Sequence, residues 1–298
     1  MSNKCLPPKS SYTNPVFKAP LGACDSHVHV FGPFAKYPLS DERSYTPLEY
    51  SADDFLQHLN RIGFSRGVLV TASVCGTNNG AILESLEQYP DRFRGVAVPA
   101  VDVTDAELDR WHALGVRGVR FNLLMIDGKP LYKNGVGLDV LEALAPRFAA
   151  RGWHAQIWAH APDLPELAPR LLKLGISLVI DHMGRMNTSR GVDNPGFQYL
   201  CNMLSEGKAW VKISGADRIG NAASGYADVD PFAKALINAN IERVVWGTDW
   251  PHINYFDPAL MPDDGNLTNL LARWLPNSQD LERVLVSNPA VLYDFPLP

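Results

Sequence analysis

Eight short runs rich in β-branched and apolar residues recur along the chain, each followed by a stretch with helical apolar spacing, and this alternation restricts the fold most. The runs cover residues 22–30, 67–72, 95–100, 117–122, 154–160, 177–182, 209–215 and 243–249. Helical spacing falls at 52–62, 79–88, 105–113, 138–150, 164–174, 196–205 and 229–238, with two more stretches, 267–274 and 280–293, after the last run. Repeated βα units build a parallel sheet. Eight of them in 298 residues predict a (β/α)8 barrel, since no GxGxxG follows the first run to mark an open dinucleotide-binding sheet. Residues 22–298 read as one barrel domain, preceded by an arm over 1–21 that carries several Pro, Ser and Asn residues.

Charge and cysteine usage narrow the partners. The net charge of -5 comes without a basic run or a basic-aromatic stripe, which argues against nucleic acid and acidic membrane surfaces. The four cysteines, Cys5, Cys24, Cys75 and Cys201, lack CxxC spacing, so neither a zinc ribbon nor a disulfide framework is expected. No apolar run approaches the ~18 residues of a membrane span, and the first ten residues hold no apolar signal core. A reducing cytoplasm is the expected compartment; the oligomeric state is not encoded legibly.

In a barrel of this kind the C-terminal ends of the strands face the active site, so the polar residues there are the informative ones. The first run carries His27-Val28-His29, and alternate strand residues point the same way, which aims both imidazoles at one place. The second leads into Ser73, the fourth ends in Arg120 and Asn122, and the fifth offers Gln156, Trp158 and His160 on one face. The sixth ends in His182, the seventh in Lys212 and Ser214 with Arg218 just beyond, and the eighth in Asp249. Three imidazoles and a carboxylate at one mouth either hold a divalent metal or polarise a carbonyl directly while the carboxylate activates water. Both arrangements are hydrolytic. Asp249 is the natural general base, with His27, His29 and His182 as oxyanion donors or metal ligands. Arg120 and Arg218 suit a carboxylate or sulfonate, because a planar guanidinium binds such groups bidentately. His58, His112 and His154, taken singly, read as satisfied polar residues, and Cys75 as an inert thiol. The segments 31–49 and 252–266, with their prolines and charges, are expected to form loops over the mouth.

Taken together, the motifs resemble the amidohydrolase superfamily, and within it the 2-pyrone-4,6-dicarboxylate lactonase-like group. They are Asp25-Ser26-His27-Val28-His29-Val30-Phe31-Gly32, Glu42-Arg43-Ser44-Tyr45-Thr46-Pro47, Gly115-Val116-Arg117-Gly118-Val119-Arg120-Phe121-Asn122, Asp181-His182-Met183-Gly184-Arg185, Trp246-Gly247-Thr248-Asp249-Trp250-Pro251-His252 and Pro262-Asp263-Asp264-Gly265. The resemblance implies a (β/α)8 barrel that hydrolyses a small anionic lactone in aromatic-compound catabolism. By resemblance, Asp249 handles the water, His27, His29 and His182 contact the carbonyl, and Tyr45, Ser73, Arg120 and Arg218 hold the substrate's anionic groups. It also implies that no metal is required; the alternative is one divalent ion, zinc first, on His27, His29 and Asp249.

Two departures bear on the substrate. Trp158 stands where the group has a tyrosine, and the run Leu123-Leu124-Met125-Ile126 lacks a second basic residue after the fourth strand. Trp158 and His160 are therefore expected in the substrate wall, with His160 or Lys129 as substitutes for the lost cation, and a muconolactone or sulfonated muconolactone comes within range. Competing readings are a lactone isomerase or a metal-dependent decarboxylase on the same barrel, and a non-catalytic carboxylate binder. A binder has no use for an aspartate that repels its own anionic ligand.

Overall fold

A computed structural model of the chain describes residues 3–126, 129–130 and 136–298. Eight parallel strands form its centre: β1 (Cys24–Val28), β2 (Arg66–Val70), β3 (Phe93–Ala97), β4 (Val116–Asn122), β5 (His154–Trp158), β6 (Leu178–Ile180), β7 (Ala209–Lys212) and β8 (Val244–Val245). Each pairs with its neighbours in chain order. The sheet closes because β1 and the chain beyond β8 are also bonded. Ser26 N–H donates to Trp246 O at 2.8 Å, Asp249 N–H to His27 O at 2.9 Å and His29 N–H to Trp250 O at 2.9 Å. The (β/α)8 expectation is met.

Glycine makes this closure feasible. A Cβ on Gly247 would stand 2.5 Å from the backbone nitrogen of His27, so any larger residue there would push the first and last strands apart. The eighth strand is shorter than the run 243–249 because the chain leaves extended geometry soon after Val245, and Asp249 sits at φ 66. That left-handed conformation costs a non-glycine residue about 1 kcal/mol or more and persists only where its surroundings enforce it. Asp25 supplies the brace, accepting from Thr248 N–H at 2.9 Å and from Thr248 Oγ1–H at 2.6 Å.

The strands' outer faces and the helices form the main apolar core, in which Val28, Leu69, Val119, Ile157 and Ile180 pack with Phe55, Leu86, Phe148 and Leu200. Helix starts follow sequence chemistry. Ser51 with Asp54, and Thr104 with Glu107, form capping boxes on the helices Ala52–Ile62 and Asp105–Leu114. The stretch 280–293 is broken rather than continuous, running as Ser278–Glu282, a π-turn over Arg283–Ser287 and then Asn288–Tyr293. Pro289 has no N–H to continue the α ladder, and the turn before it widens. Tyr293 then lies edge-on to His154 at the start of β5, with ring centroids 5.3 Å apart, and so closes the end of the barrel opposite the site. Of the N-terminal arm, Asn3–Lys4 pairs in parallel with Tyr45–Thr46, which anchors the loop carrying Tyr45. No helix among the described residues is long and apolar enough to cross a membrane.

Candidate active site

The β1 imidazoles converge as their spacing predicts, with ring centroids 5.1 Å apart, and His182 from the end of β6 approaches His27 to 4.6 Å. A register shift between Asp25 and Val28 turns the chain at the bottom of this pair. Asp249 meets them from β8: its Oδ1 is 3.4 Å from His29 Nε2 and 3.7 Å from His27 Nε2. Its other oxygen, Oδ2, accepts from Arg218 at 3.0 Å. Burial alone would push the Asp249 carboxyl up, but attraction from His182, whose ring is charged only once acid protonates it, and from the permanent Arg218 charge outweighs it and holds the group well below the usual carboxylate range. Burial lowers His182 to about 4, so at neutral pH its ring is uncharged; its Nδ1 is 2.9 Å from Ser214 Oγ.

His29 Nδ1 lies 2.7 Å from the carbonyl of Val70. A carbonyl only accepts, so Nδ1 carries the hydrogen, and in the neutral ring Nε2 turns a lone pair towards Asp249. Two electron-rich atoms facing each other at 3.4 Å call for positive charge between them. Ligands around a tetrahedral divalent ion, at ~2.1 Å each, stand ~3.4 Å apart. The donor set His27, His29 and Asp249 fits a cation in both chemistry and spacing.

Beneath this layer is a buried polar floor that the residue types alone did not reveal. Lys212 is fully buried; its Nζ donates to Ser26 O at 2.9 Å and to Gln156 Oε1 at 2.7 Å, and stands 3.2 Å from His27 Nδ1. Asp181 faces it, 3.3 Å from His27 Nδ1 through Oδ1, accepting from Gln156 Nε2 at 3.0 Å through Oδ2. Arg120 Nε is 3.5 Å from the same Oδ2. Lys212 and Gln156 were visible as strand-end polar residues, and Asp181 as part of a motif, but nothing in their spacing announces the contact with His27.

The pocket above is lined by His29, Tyr45, Ser73, Arg120, Trp158 and His182, with Arg185, Arg218 and Asp249 and the 252–266 loop residues Ile253 and Asn254. Three guanidiniums against one carboxylate give this concavity a positive excess. Asn122 Nδ2 donates to Ser73 Oγ at 3.3 Å, fixing the wall between β2 and β4. Trp158 lies between two cations, with the Arg120 guanidinium carbon 5.2 Å from its ring centroid and that of Arg185 5.9 Å away. Arg185 was read only as the end of a motif; it reaches the mouth because residues 182–185 all take positive φ, wrapping the chain tightly after β6. His160 stands past β5, 3.8 Å from Asp163, and is not among the described lining residues. The side chain of Lys129 lies outside the described residues.

An amidohydrolase family model matches residues 24–295. The chain is 37% identical over 295 residues to 4-sulfomuconolactone hydrolase of Hydrogenophaga intermedia, covering 98% of this chain and 95% of that one. It is 38% identical over 292 residues to the 2-pyrone-4,6-dicarboxylate hydrolase of Comamonas testosteroni, covering 94% and 93%. This chain belongs to the amidohydrolase family. Among solved structures, an Acinetobacter baumannii protein assigned to 2-pyrone-4,6-dicarboxylic acid hydrolysis, with citric acid bound, superposes with TM-score 0.78 at 28% identity, covering 92% of this chain and all of that one.

For this amidohydrolase, one expectation is overturned. The reading that no metal is required gives way to two buried groups among the described residues, His27 with His29 and Asp249, and His27 with Asp181 and His182. Within each, the ligand atoms all lie within 4.8 Å of one another. The absence of a ligand at Trp158 had suggested an incomplete set, but the donors come from β1, β6 and β8 and need nothing from β5. A metal cofactor is therefore indicated, and His27, His29 and Asp249 are the residues that would hold it.

Proposed function

We propose that this amidohydrolase opens a small lactone bearing carboxylate or sulfonate groups, by hydrolysis, as a step in the breakdown of aromatic compounds. The observation that carries this reading is the seating of one carboxylate and three imidazoles beneath a wall of three guanidiniums. The named activities of the two hydrolase relatives support it.

Arg120 and Arg218 would orient the anionic substituents, with Arg185 as a further cation and the faces of Trp158 and Tyr45 shaping the ring site. A divalent ion on His27, His29 and Asp249 would act as a Lewis acid on the ring carbonyl. Water adds to the carbonyl carbon, and Asp249 takes its proton. His182, held neutral, offers Nε2–H to the developing oxyanion when Ser214 donates to its Nδ1. The ring carbon–oxygen bond then breaks, and the proton on Asp249 passes to the departing oxygen. The product carboxylic acid loses its remaining proton to solvent.

A panel of anionic lactones followed by ring-opening absorbance tests this directly, and turnover of at least one carboxylated or sulfonated member is expected. Retention of the ring in a rearranged product would mark an isomerase, released carbon dioxide a decarboxylase, and tight binding without any product a mere binder. Arg185→Met is expected to raise KM about 10- to 100-fold with kcat nearly unchanged, the loss of one charge-assisted contact made in ground and transition states alike. Steady-state kinetics on the best lactone checks it; an unchanged KM removes Arg185 from the anion site.

A further inference from the structure

The nitrogen of His27 that faces away from the pocket has two charged rivals, with the Gln156 amide nitrogen a third and more distant neighbour at 3.5 Å. Its Nδ1 is 3.2 Å from Lys212 Nζ and 3.3 Å from Asp181 Oδ1. An ammonium can only donate and a carboxylate can only accept, so the two neighbours demand opposite states of the same atom. Lys212 has two of its three hydrogens committed, to Ser26 O and to Gln156 Oε1. The third reaches either His27 Nδ1 or Asp181 Oδ1, the latter at 3.6 Å. If it goes to Nδ1, the imidazole hydrogen must sit on Nε2, pointing into the site. If it goes to Asp181, Nδ1 can carry the hydrogen and donate to the carboxylate, which leaves Nε2 with a lone pair.

We propose that Lys212 and Asp181 are positioning residues that set the tautomer of His27, and thereby whether its Nε2 faces the pocket as a hydrogen-bond donor or as a metal ligand. This rests on the reading that His27, His29 and Asp249 hold a divalent ion. Three features of the structure support it. His27 Nε2 is buried with no hydrogen-bond partner among the described residues, so nothing on the pocket side locks the ring in one form. His29 differs, since the Val70 carbonyl fixes it as an Nε2 ligand. Lys212 and Asp181 are both fully buried, so neither is screened by solvent and neither is replaceable by water from outside. The exchange keeps the proton count constant: one hydrogen changes nitrogen on the imidazole while the third lysine N–H turns from Nδ1 to the carboxylate. Gln156, bonded to both Lys212 and Asp181, holds the two at the distance that makes the choice close.

The test reads nitrogen shifts and zinc affinity rather than turnover. In 15N-histidine-labelled, chelator-treated wild-type protein, long-range 1H–15N correlation is expected to show His27 as the Nε2–H tautomer, moving to Nδ1–H when zinc is added. In Lys212→Met the metal-free ring is expected to be Nδ1–H already, and zinc to bind at least about fivefold more tightly. In Asp181→Asn zinc affinity is expected to fall about 10- to 100-fold, as when the partner of a ligating histidine is removed. A merely structural role would move both variants in the same direction. An identical His27 tautomer in wild type and Lys212→Met, or weakening of zinc binding in both variants, overturns the proposal. Should Lys212→Met fail to fold, an Nδ1–H tautomer in metal-free wild type, or no change on adding zinc, overturns it alone. Failure of every lactone to turn over would leave these shifts untouched, so the two readings fall separately.

Discussion

Asp249→Asn is expected to lower kcat by about 10³-fold or more, within the range by which positioned acid–base groups contribute, while KM stays level or falls. Asparagine keeps the size of the side chain and an oxygen that can still accept from Arg218, so the turn at φ 66 and its brace from Asp25 through Thr248 have no reason to collapse. What it cannot do is take a proton from water. It also removes the one negative charge among three guanidiniums, which an anionic lactone would otherwise have to face. Stopped-flow ring opening beside product binding by calorimetry separates the two effects; turnover near the wild-type rate would remove Asp249 as the base. The pH profile carries the same sign. Because Asp249 is held below the ordinary carboxylate range and His182 at about 4, the competent forms persist at neutral pH, and kcat/KM is lost only as acid protonates them.

The barrel was legible because its signal is redundant. Eight runs and nine intervening or following helical spacings each carry the period of their element, and an error at one boundary leaves the others standing. The boundaries that slipped lie where local backbone chemistry intervenes, at the left-handed turn after Val245 and at the π-turn before Pro289. His27, His29, His182 and Asp249 were visible for a different reason: a strand end fixes the direction of a side chain, and the residue type then names the chemistry. Lys212 sat in the same list of strand-end residues, yet its role depends on a contact with His27 from across the barrel, at a sequence separation no pattern reports. Arg185 was hidden by its backbone, since four consecutive positive φ values are not foreseeable from residues that include histidine, methionine and arginine. His160 shows the opposite failure. In phase with Trp158 on an ideal strand, it lies beyond the point where the strand gives way to a turn at Ala161–Asp163.

Removal of divalent metal is expected to lower kcat/KM by at least about 10²-fold, with recovery on adding back zinc, since Lewis-acid stabilisation of charge at a carbonyl is worth several kcal/mol. His29 is locked by Val70 with its Nε2 lone pair towards Asp249 Oδ1 at 3.4 Å, and His27 Nε2 stands 3.7 Å from the same oxygen. With neutral imidazoles these atoms face one another with lone pairs that a divalent cation can join, whereas a bare set would have to recruit a proton into that gap and so surrender the base. Prolonged dialysis against a strong chelator, with residual metal counted by mass spectrometry and activity measured on the same samples, gives the dependence. Activity falling in proportion to metal is the expected outcome. Full activity at a metal-to-protein ratio near zero would return the chemistry to imidazole donors alone and leave the close approach of His29 and Asp249 to be explained by an imidazolium.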